Sequence, residues 1–132
     1  MSTRNENMET QESAALLERF IEFGTHRGLL GPGGLPYARE EDRSLTLFLP
    51  KTGGRFHFIP GSTGSLTPVI LHVWKKDGAK PLLRANSGLR WDPATKEWSF
   101  YGRRGTEEAC LVLWQVLEAA SKRARWKIPK IE

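Results

Sequence analysis

Two segments of the chain carry apolar residues at helical spacing, one near each end of the sequence. In the first, residues 11–27, the apolar residues Ala14, Leu17 and Ile21 recur with charged residues between them. This spacing predicts a surface helix that packs one apolar stripe inward. The residues that precede it, 1–10, are mostly polar, and we expect them to form a disordered tail.

The second helical segment is the most apolar stretch of the sequence. It follows Gly105, and its apolar run from residue 109 to residue 117 is interrupted only by Gln115. A stripe this wide predicts a helix that is buried on most sides. Thr106 stands where an N-cap belongs, with a hydroxyl that can accept a hydrogen bond from an unpaired backbone N–H. Charged residues complement the helix dipole at both ends: Glu107, Glu108, Lys122, Arg123 and Arg125.

Between the two helices, shorter segments predict β-strands. Residues 44–49 alternate leucine with other residues, and after a turn at residues 50–54 the segment 55–59 continues as the second strand of a hairpin. Residues 68–74 have the strongest β-propensity in the chain. Residues 82–83 indicate a further short strand.

A second hairpin is predicted closer to the C-terminus. Residues 89–91 and 98–101 flank a segment that begins with Asp92 followed by proline, a pair that favours a type I turn. Trp91 and Trp98 stand near the mouth of this hairpin, and we expect their side chains to contact each other across it.

The order of these elements predicts an α+β fold. It consists of an N-terminal helix, an antiparallel β-meander of four to six strands, and a C-terminal helix packed on the sheet. We expect residues 11–128 to form a single domain and residues 129–132 to form a C-terminal tail. Residues 31–43 and 60–67 are predicted to be loops, because glycine, proline, hydroxyl and charged residues dominate them.

Composition excludes several classes of function. The 132 residues, 39% of them hydrophobic, suffice for one domain with its own core. The only cysteine, Cys110, lies in the apolar helix segment, so an intramolecular disulfide and a multi-cysteine zinc site are excluded. The sequence contains no nucleotide-binding glycine motif and no paired-histidine metal motif. We therefore expect no cofactor and no metal, and a binding protein rather than an enzyme.

The hydropathy of the chain bears on its location. No apolar stretch approaches the length that crosses a bilayer, and no basic segment followed by an apolar run opens the sequence. We expect a cytoplasmic protein that has no membrane partner.

Charge is distributed unevenly along the sequence. Residues 1–50 carry five arginines against eight acidic residues, a net charge of −3, whereas residues 51–132 carry fifteen basic against seven acidic residues, a net charge of +8. A surplus of this kind suits a polyanionic partner such as nucleic acid, or an acidic partner protein.

Basic and aromatic residues interleave throughout the second half of the chain. Cations neutralise phosphates, and flat aromatic side chains stack on unpaired bases, so this pairing predicts a nucleic-acid-binding surface. Alternating strands interleave core and solvated residues in any case, and Phe56, Phe58, Phe100 and Trp114 are expected to be core. The candidate nucleic-acid-binding residues are Arg55, His57, Trp74, Lys75, Lys76, Arg90, Tyr101, Arg103, Arg104, Lys122, Arg123, Arg125 and Trp126.

Three functions follow from these patterns. The first is a small non-enzymatic module that binds nucleic acid, single- or double-stranded, DNA or RNA, through the basic surface of its second half. The alternative is a protein-interaction or inhibitor module that binds through the glycine-rich loops and exposed tryptophans. The third is a histidine-dependent ribonuclease, because His57 and His72 lie on neighbouring predicted strands, where one imidazole can take a proton and the other can give one.

Overall fold

The computed structural model describes the backbone of residues 2–131 and the side chains of residues 10–131. Within this range the chain forms a helix, eight strands and a second helix. The elements are α1 (Ser2–His26), β1 (Tyr37–Arg39), β2 (Leu45–Phe48), β3 (Arg55–Pro60), β4 (Val69–Trp74), β5 (Leu83–Asn86), β6 (Arg90–Asp92), β7 (Glu97–Phe100), β8 (Arg103–Arg104) and α2 (Thr106–Ala124).

The strands form two antiparallel sheets. The main sheet has five strands in the order β1-β2-β3-β4-β5, so each strand pairs with its neighbour in the sequence. The remaining strands form a separate sheet in the order β6-β7-β8. The predicted α+β class, with an antiparallel meander of four to six strands between two helices, is therefore confirmed, while the second hairpin belongs to a smaller sheet of its own.

One face of the main sheet carries the hydrophobic core. In β3 and β4, buried residues alternate with half-exposed ones, as expected when only one face of a sheet is covered. Both helices lie on the buried face: the Phe20 ring of α1 meets Phe58 edge to face, with ring centroids 5.4 Å apart, and lies 6.3 Å from the ring of Trp114 in α2. The buried sheet residues are Leu45, Leu47, Phe56, Phe58, Val69, Leu71 and Val73.

The small sheet packs on α2 through its apolar residues. Leu89 and Trp98 are buried in the core. Trp91 is the register partner of Trp98, and their ring centroids are 5.3 Å apart in an edge-to-face arrangement. Asp92 accepts backbone hydrogen bonds from Ala94 and Thr95, as the predicted turn requires.

The boundaries of several elements differ from the sequence predictions. The helix α1 begins at Ser2, although residues 1–10 were predicted to be a disordered tail; Met1 lies outside the described residues. The predicted loop 31–43 contains β1, because its residues complete the edge of the sheet beside β2. Tyr101 and Gly102 both have positive φ and form the tight turn between β7 and β8.

The N-terminus of α2 is capped differently from the prediction. The N-cap is Gly105, with φ 103°, and no side chain donates or accepts a capping bond. Thr106 is the first helical residue, so its hydroxyl stands one position too late to cap the helix. Glu107 and Glu108 do lie in the first turn, and Lys122 and Arg123 in the last.

After α2, the chain turns and packs back on the core. Arg125 adopts the left-handed conformation and ends the helix. The ring of Trp126 then lies edge to face on Phe56, with centroids 5.7 Å apart, and covers Gly54 so closely that a Cβ there would stand 2.6 Å from the ring. Ile128 and Ile131 also contact the core, while Glu132 lies outside the described residues. Within residues 2–131, no helix is long and apolar enough to cross a membrane.

Candidate nucleic-acid interface

The second face of the main sheet is only partly buried and carries several polar side chains. We call it the open face. Its side chains come from β2 to β5, because these strands turn every second residue away from the helices. They are Thr46, Phe48, Arg55, His57, Ile59, Ile70, His72, Trp74, Arg84 and Asn86.

A row of polar side chains crosses the middle of the open face. Thr46 pairs with His57, His57 pairs with His72, and His72 pairs with Arg84. Directly opposed side chains of antiparallel strands lie side by side, so these four residues form a continuous line perpendicular to the strands. We call this line the polar row.

Apolar and aromatic residues flank the polar row on both sides. Phe48, Arg55 and Trp74 form one neighbouring row, and Ile59, Ile70 and Asn86 form the other. Rows two residues apart along a strand are separated by about 7 Å. The open face is therefore striped, with the polar row at its centre and, on each side, a row of two apolar or aromatic side chains and one polar side chain, Arg55 or Asn86.

Trp74 is the aromatic side chain best placed to meet a ligand on this face. It is half-buried at the end of β4, and the guanidinium carbon of Arg55 lies 5.5 Å from the centroid of its ring. The ring of His72 lies 6.4 Å away, edge to face. A cation and an indole in this arrangement offer a phosphate contact beside a stacking surface.

The charge on the open face changes sign from one edge to the other. Arg55 and Arg84 lie on β3 and β5, whereas Glu40 and Asp42 lie in the connection between β1 and β2. The side chain and backbone N–H of Ser44 donate hydrogen bonds to Asp42 and lower its pKa, which keeps the carboxylate ionised. These carboxylates line one depression together with Arg55, His57 and Trp74, so negative charge also lies beside the cation of β3.

Both histidines of the polar row have a lowered pKa. For His57 the main cause is burial, which the nearby carboxylates of Asp42 and Glu40 partly oppose. For His72 the main cause is again burial, followed by the repulsion of Arg84 and of His57. The free protein therefore favours neutral imidazoles at neutral pH, and a bound phosphate would favour protonation.

A separate depression, between the turn after β4 and the end of α2, holds further cations and the Asp77 carboxylate. It has a volume of about 540 Å³, and Lys75, Lys76 and Trp126 are among the residues that line it. Both lysines are exposed. The turn after β4 and the end of α2 thus meet at this depression, and the exposed cations Lys122, Arg123 and Arg125 stand on this last part of α2 and its cap.

Other candidate residues lie away from the open face or are already engaged. The Arg103 Nε atom is 2.6 Å from the Glu108 carboxylate, and Arg104 lies 3.7 Å from Glu97. Both arginines belong to the small sheet, where these acids compensate their charge. Tyr101 is 89% exposed in the turn between β7 and β8. Arg90 donates a hydrogen bond of 2.8 Å to the carbonyl oxygen of Leu66.

The expected exposure of tryptophan side chains is not found. Trp98 and Trp114 are buried, and Trp74, Trp91 and Trp126 are only partly exposed. Within the glycine-rich segment 31–36, Gly34 is closely packed, because a Cβ there would stand 2.4 Å from the backbone of Leu29, whereas Gly33 is exposed.

The sequence analysis missed one central residue of the open face. Arg84 pairs with His72 and completes the polar row, although the segment around it was not predicted to be a strand beyond residue 83. The alternation Leu83, Arg84, Ala85, Asn86 is the signal that would have revealed it.

Cys110 is 2% exposed, and burial raises the pKa of its thiol to about 12. The thiol therefore behaves as a small apolar group. Among the described residues, no three histidine, cysteine or acidic side chains lie close enough together to hold a metal ion.

Comparison of the chain with models of known protein families, with curated proteins and with solved structures finds no match. Functional reasoning therefore depends on the geometry and chemistry of the open face.

Proposed function

We propose that this protein binds single-stranded nucleic acid across the open face of its main sheet. The observation that carries the proposal is the striped arrangement of that face, with the polar row at its centre and Arg55 and Trp74 beside it. Phosphates would lie over the polar row and Arg55. An adjacent base would stack on Trp74.

The shape of the face favours a single strand over a duplex. A sheet surface that displays a half-buried indole offers its ring to a base only when that base is unpaired and can leave its own stack. A duplex, in contrast, presents its phosphates and sugars to a protein, because stacking hides the faces of its bases. Lys75 and Lys76 follow Trp74 directly in the chain and would offer further phosphate contacts.

The first test compares the loss of a cation on the open face with the loss of a cation outside it. Fluorescence anisotropy with labelled single- and double-stranded DNA and RNA should show salt-sensitive binding with a preference for single strands. Arg84→Gln should weaken binding and reduce the slope of log affinity against log salt by about 0.7, the value for one phosphate contact on a single strand. Lys96→Gln, an exposed cation of the small sheet, is the matched control and should leave both quantities unchanged.

The second test compares aromatic residues. Trp74→Ala should lose the stacking of one base, about 1–3 kcal/mol of binding free energy. Tyr101→Ala removes the far more exposed aromatic residue of the small sheet and should have no effect. If Tyr101→Ala weakens binding and Trp74→Ala does not, the interface has been assigned to the wrong sheet.

Absence of binding to any of the four oligonucleotides at low salt would contradict the proposal. An acidic partner protein would then be the next candidate for the cationic surface.

A further inference from the structure

The open face holds two histidines whose proton chemistry a binding role does not require. His57 and His72 are direct register partners across β3 and β4. Opposed side chains of antiparallel strands point to the same face with Cβ atoms about 4.5–5.5 Å apart. Both imidazoles are therefore within reach of one phosphodiester group that lies across the two strands.

The two imidazoles have different charged surroundings. The carboxylates of Glu40 and Asp42 act on His57 and favour its protonated form. The guanidinium of Arg84, the strand neighbour of His72, acts on His72 and disfavours protonation there. Burial lowers the pKa of both imidazoles, so their charged neighbours distinguish their roles. His57, beside two carboxylates, is the imidazole placed to carry a proton, and His72, beside Arg84, is the one placed to accept it.

We propose that this pair makes the open face an RNA-cleaving site, with His72 as general base and His57 as general acid. The proposal rests on the proposed function, because its substrate is the single strand bound on the same face. It also names the class of substrate. Only RNA carries the 2′-hydroxyl that can act as the internal nucleophile.

The reaction is an internal transesterification. His72 takes the proton of the 2′-hydroxyl as the 2′-oxygen attacks phosphorus and forms a new O–P bond. The bond from phosphorus to the 5′-oxygen of the next nucleotide breaks, and His57 gives its proton to that oxygen. The products are a 2′,3′-cyclic phosphate and a 5′-hydroxyl, and solvent exchange returns the two imidazoles to their starting states.

Two arginines are placed to stabilise the negative charge that develops on phosphorus. Arg55 precedes His57 by two residues on β3, and Arg84 flanks His72 on β5. They stand on two sides of the histidine pair, so a phosphate over the pair has a cation at each side. Trp74, beside Arg55, would hold the base of one of the two nucleotides that flank the scissile bond.

The test follows binding and integrity of a single-stranded RNA together, using the full chain and a chelator-treated buffer. The wild-type protein should produce 2′,3′-cyclic phosphate ends with a bell-shaped pH profile. His57→Gln and His72→Gln should each lower the cleavage rate by about 10²- to 10⁴-fold while they retain RNA binding. His26→Gln changes the remaining histidine, which is exposed at the end of α1, and should leave the rate unchanged.

A second measurement does not depend on whether the variants fold. An RNA with one 2′-deoxynucleotide should bind normally but resist cleavage at that position. Intact RNA bound by the wild-type protein, or cleavage that persists in both histidine variants, would overturn the inference and leave the binding function standing. Failure of the wild-type protein to bind RNA at all would overturn the proposed function itself.

Discussion

At the scale of single residues, the polar row brings together two histidines from neighbouring strands. Their side chains stand together on the one sheet face that the helices leave free. Sequence alternation alone was sufficient to place both on adjacent strands. It was not sufficient to show that they are direct partners, because the register depends on the length and geometry of the connection between β3 and β4.

The lowered pKa values of this pair make stability depend on pH. Because His57 and His72 bind protons more weakly in the folded than in the unfolded chain, the unfolded state takes up more protons below about pH 6.5. The contribution of these two histidines to the free energy of unfolding should therefore be complete above about pH 6.5 and should be lost as the solution is acidified. Urea unfolding at a series of pH values measures it.

The matched variants for this prediction are His57→Gln with His72→Gln, and His26→Gln. The double variant should show a weaker loss of stability between neutral pH and about pH 5, whereas His26→Gln should follow the wild-type curve. An unchanged curve for the double variant would show that these imidazoles titrate alike in both states.

At the scale of elements, the C-terminal segment packs the end of α2 against the core of the main sheet. Because cations surround Trp126 in the sequence, its side chain was expected to be exposed. In the structure its ring contacts Phe56 and covers Gly54. A contact between residues so far apart in the chain leaves no local pattern, so it could not be predicted from spacing.

This contact predicts a specific cost for a small substitution. Gly54→Ala would place a Cβ 2.6 Å from the Trp126 ring, so the ring and the segment that follows must move. We expect a loss of about 1–3 kcal/mol in the free energy of unfolding, as for other overpacked sites. Chemical denaturation followed by tryptophan fluorescence measures it.

Gly64→Ala is the control for that substitution. Gly64 does not have a positive φ, and the nearest atom to its added Cβ, the Ser62 hydroxyl oxygen, is 3.6 Å away. Its unfolding midpoint should stay close to that of the wild-type protein. Equal midpoints for the two variants would show that Trp126 yields to the added methyl group without loss.

Element boundaries were predicted well where pattern and turn chemistry agree. The hairpin of β2 and β3 and the Trp91–Trp98 pair follow from alternation and from the Asp92 turn. The short strand β1 was not predicted, because the three residues Tyr37–Arg39 are too few to show an alternating pattern. Its extended conformation comes from pairing with β2. Likewise, Thr106 resembles an N-cap locally, but the chain enters α2 through the positive φ of Gly105.

At the scale of the whole molecule, the charge asymmetry along the sequence is not a simple asymmetry in space. The surplus of +8 in residues 51–132 is partly compensated within the small sheet, where acids pair with Arg103 and Arg104. Lys75 and Lys76 line one depression together with Asp77, while the carboxylates of Glu40 and Asp42 line another together with Arg55, His57 and Trp74. The fold thus places cations and carboxylates from distant parts of the chain side by side, which composition could not indicate.

A nitrogen–proton NMR titration of the labelled protein with a short single-stranded oligonucleotide would locate the binding surface residue by residue. We expect the largest shifts in β3, β4 and β5, including the indole N–H of Trp74, and little change in the small sheet around Tyr101. Shifts confined to the small sheet, or no shifts at low salt, would contradict binding on the open face.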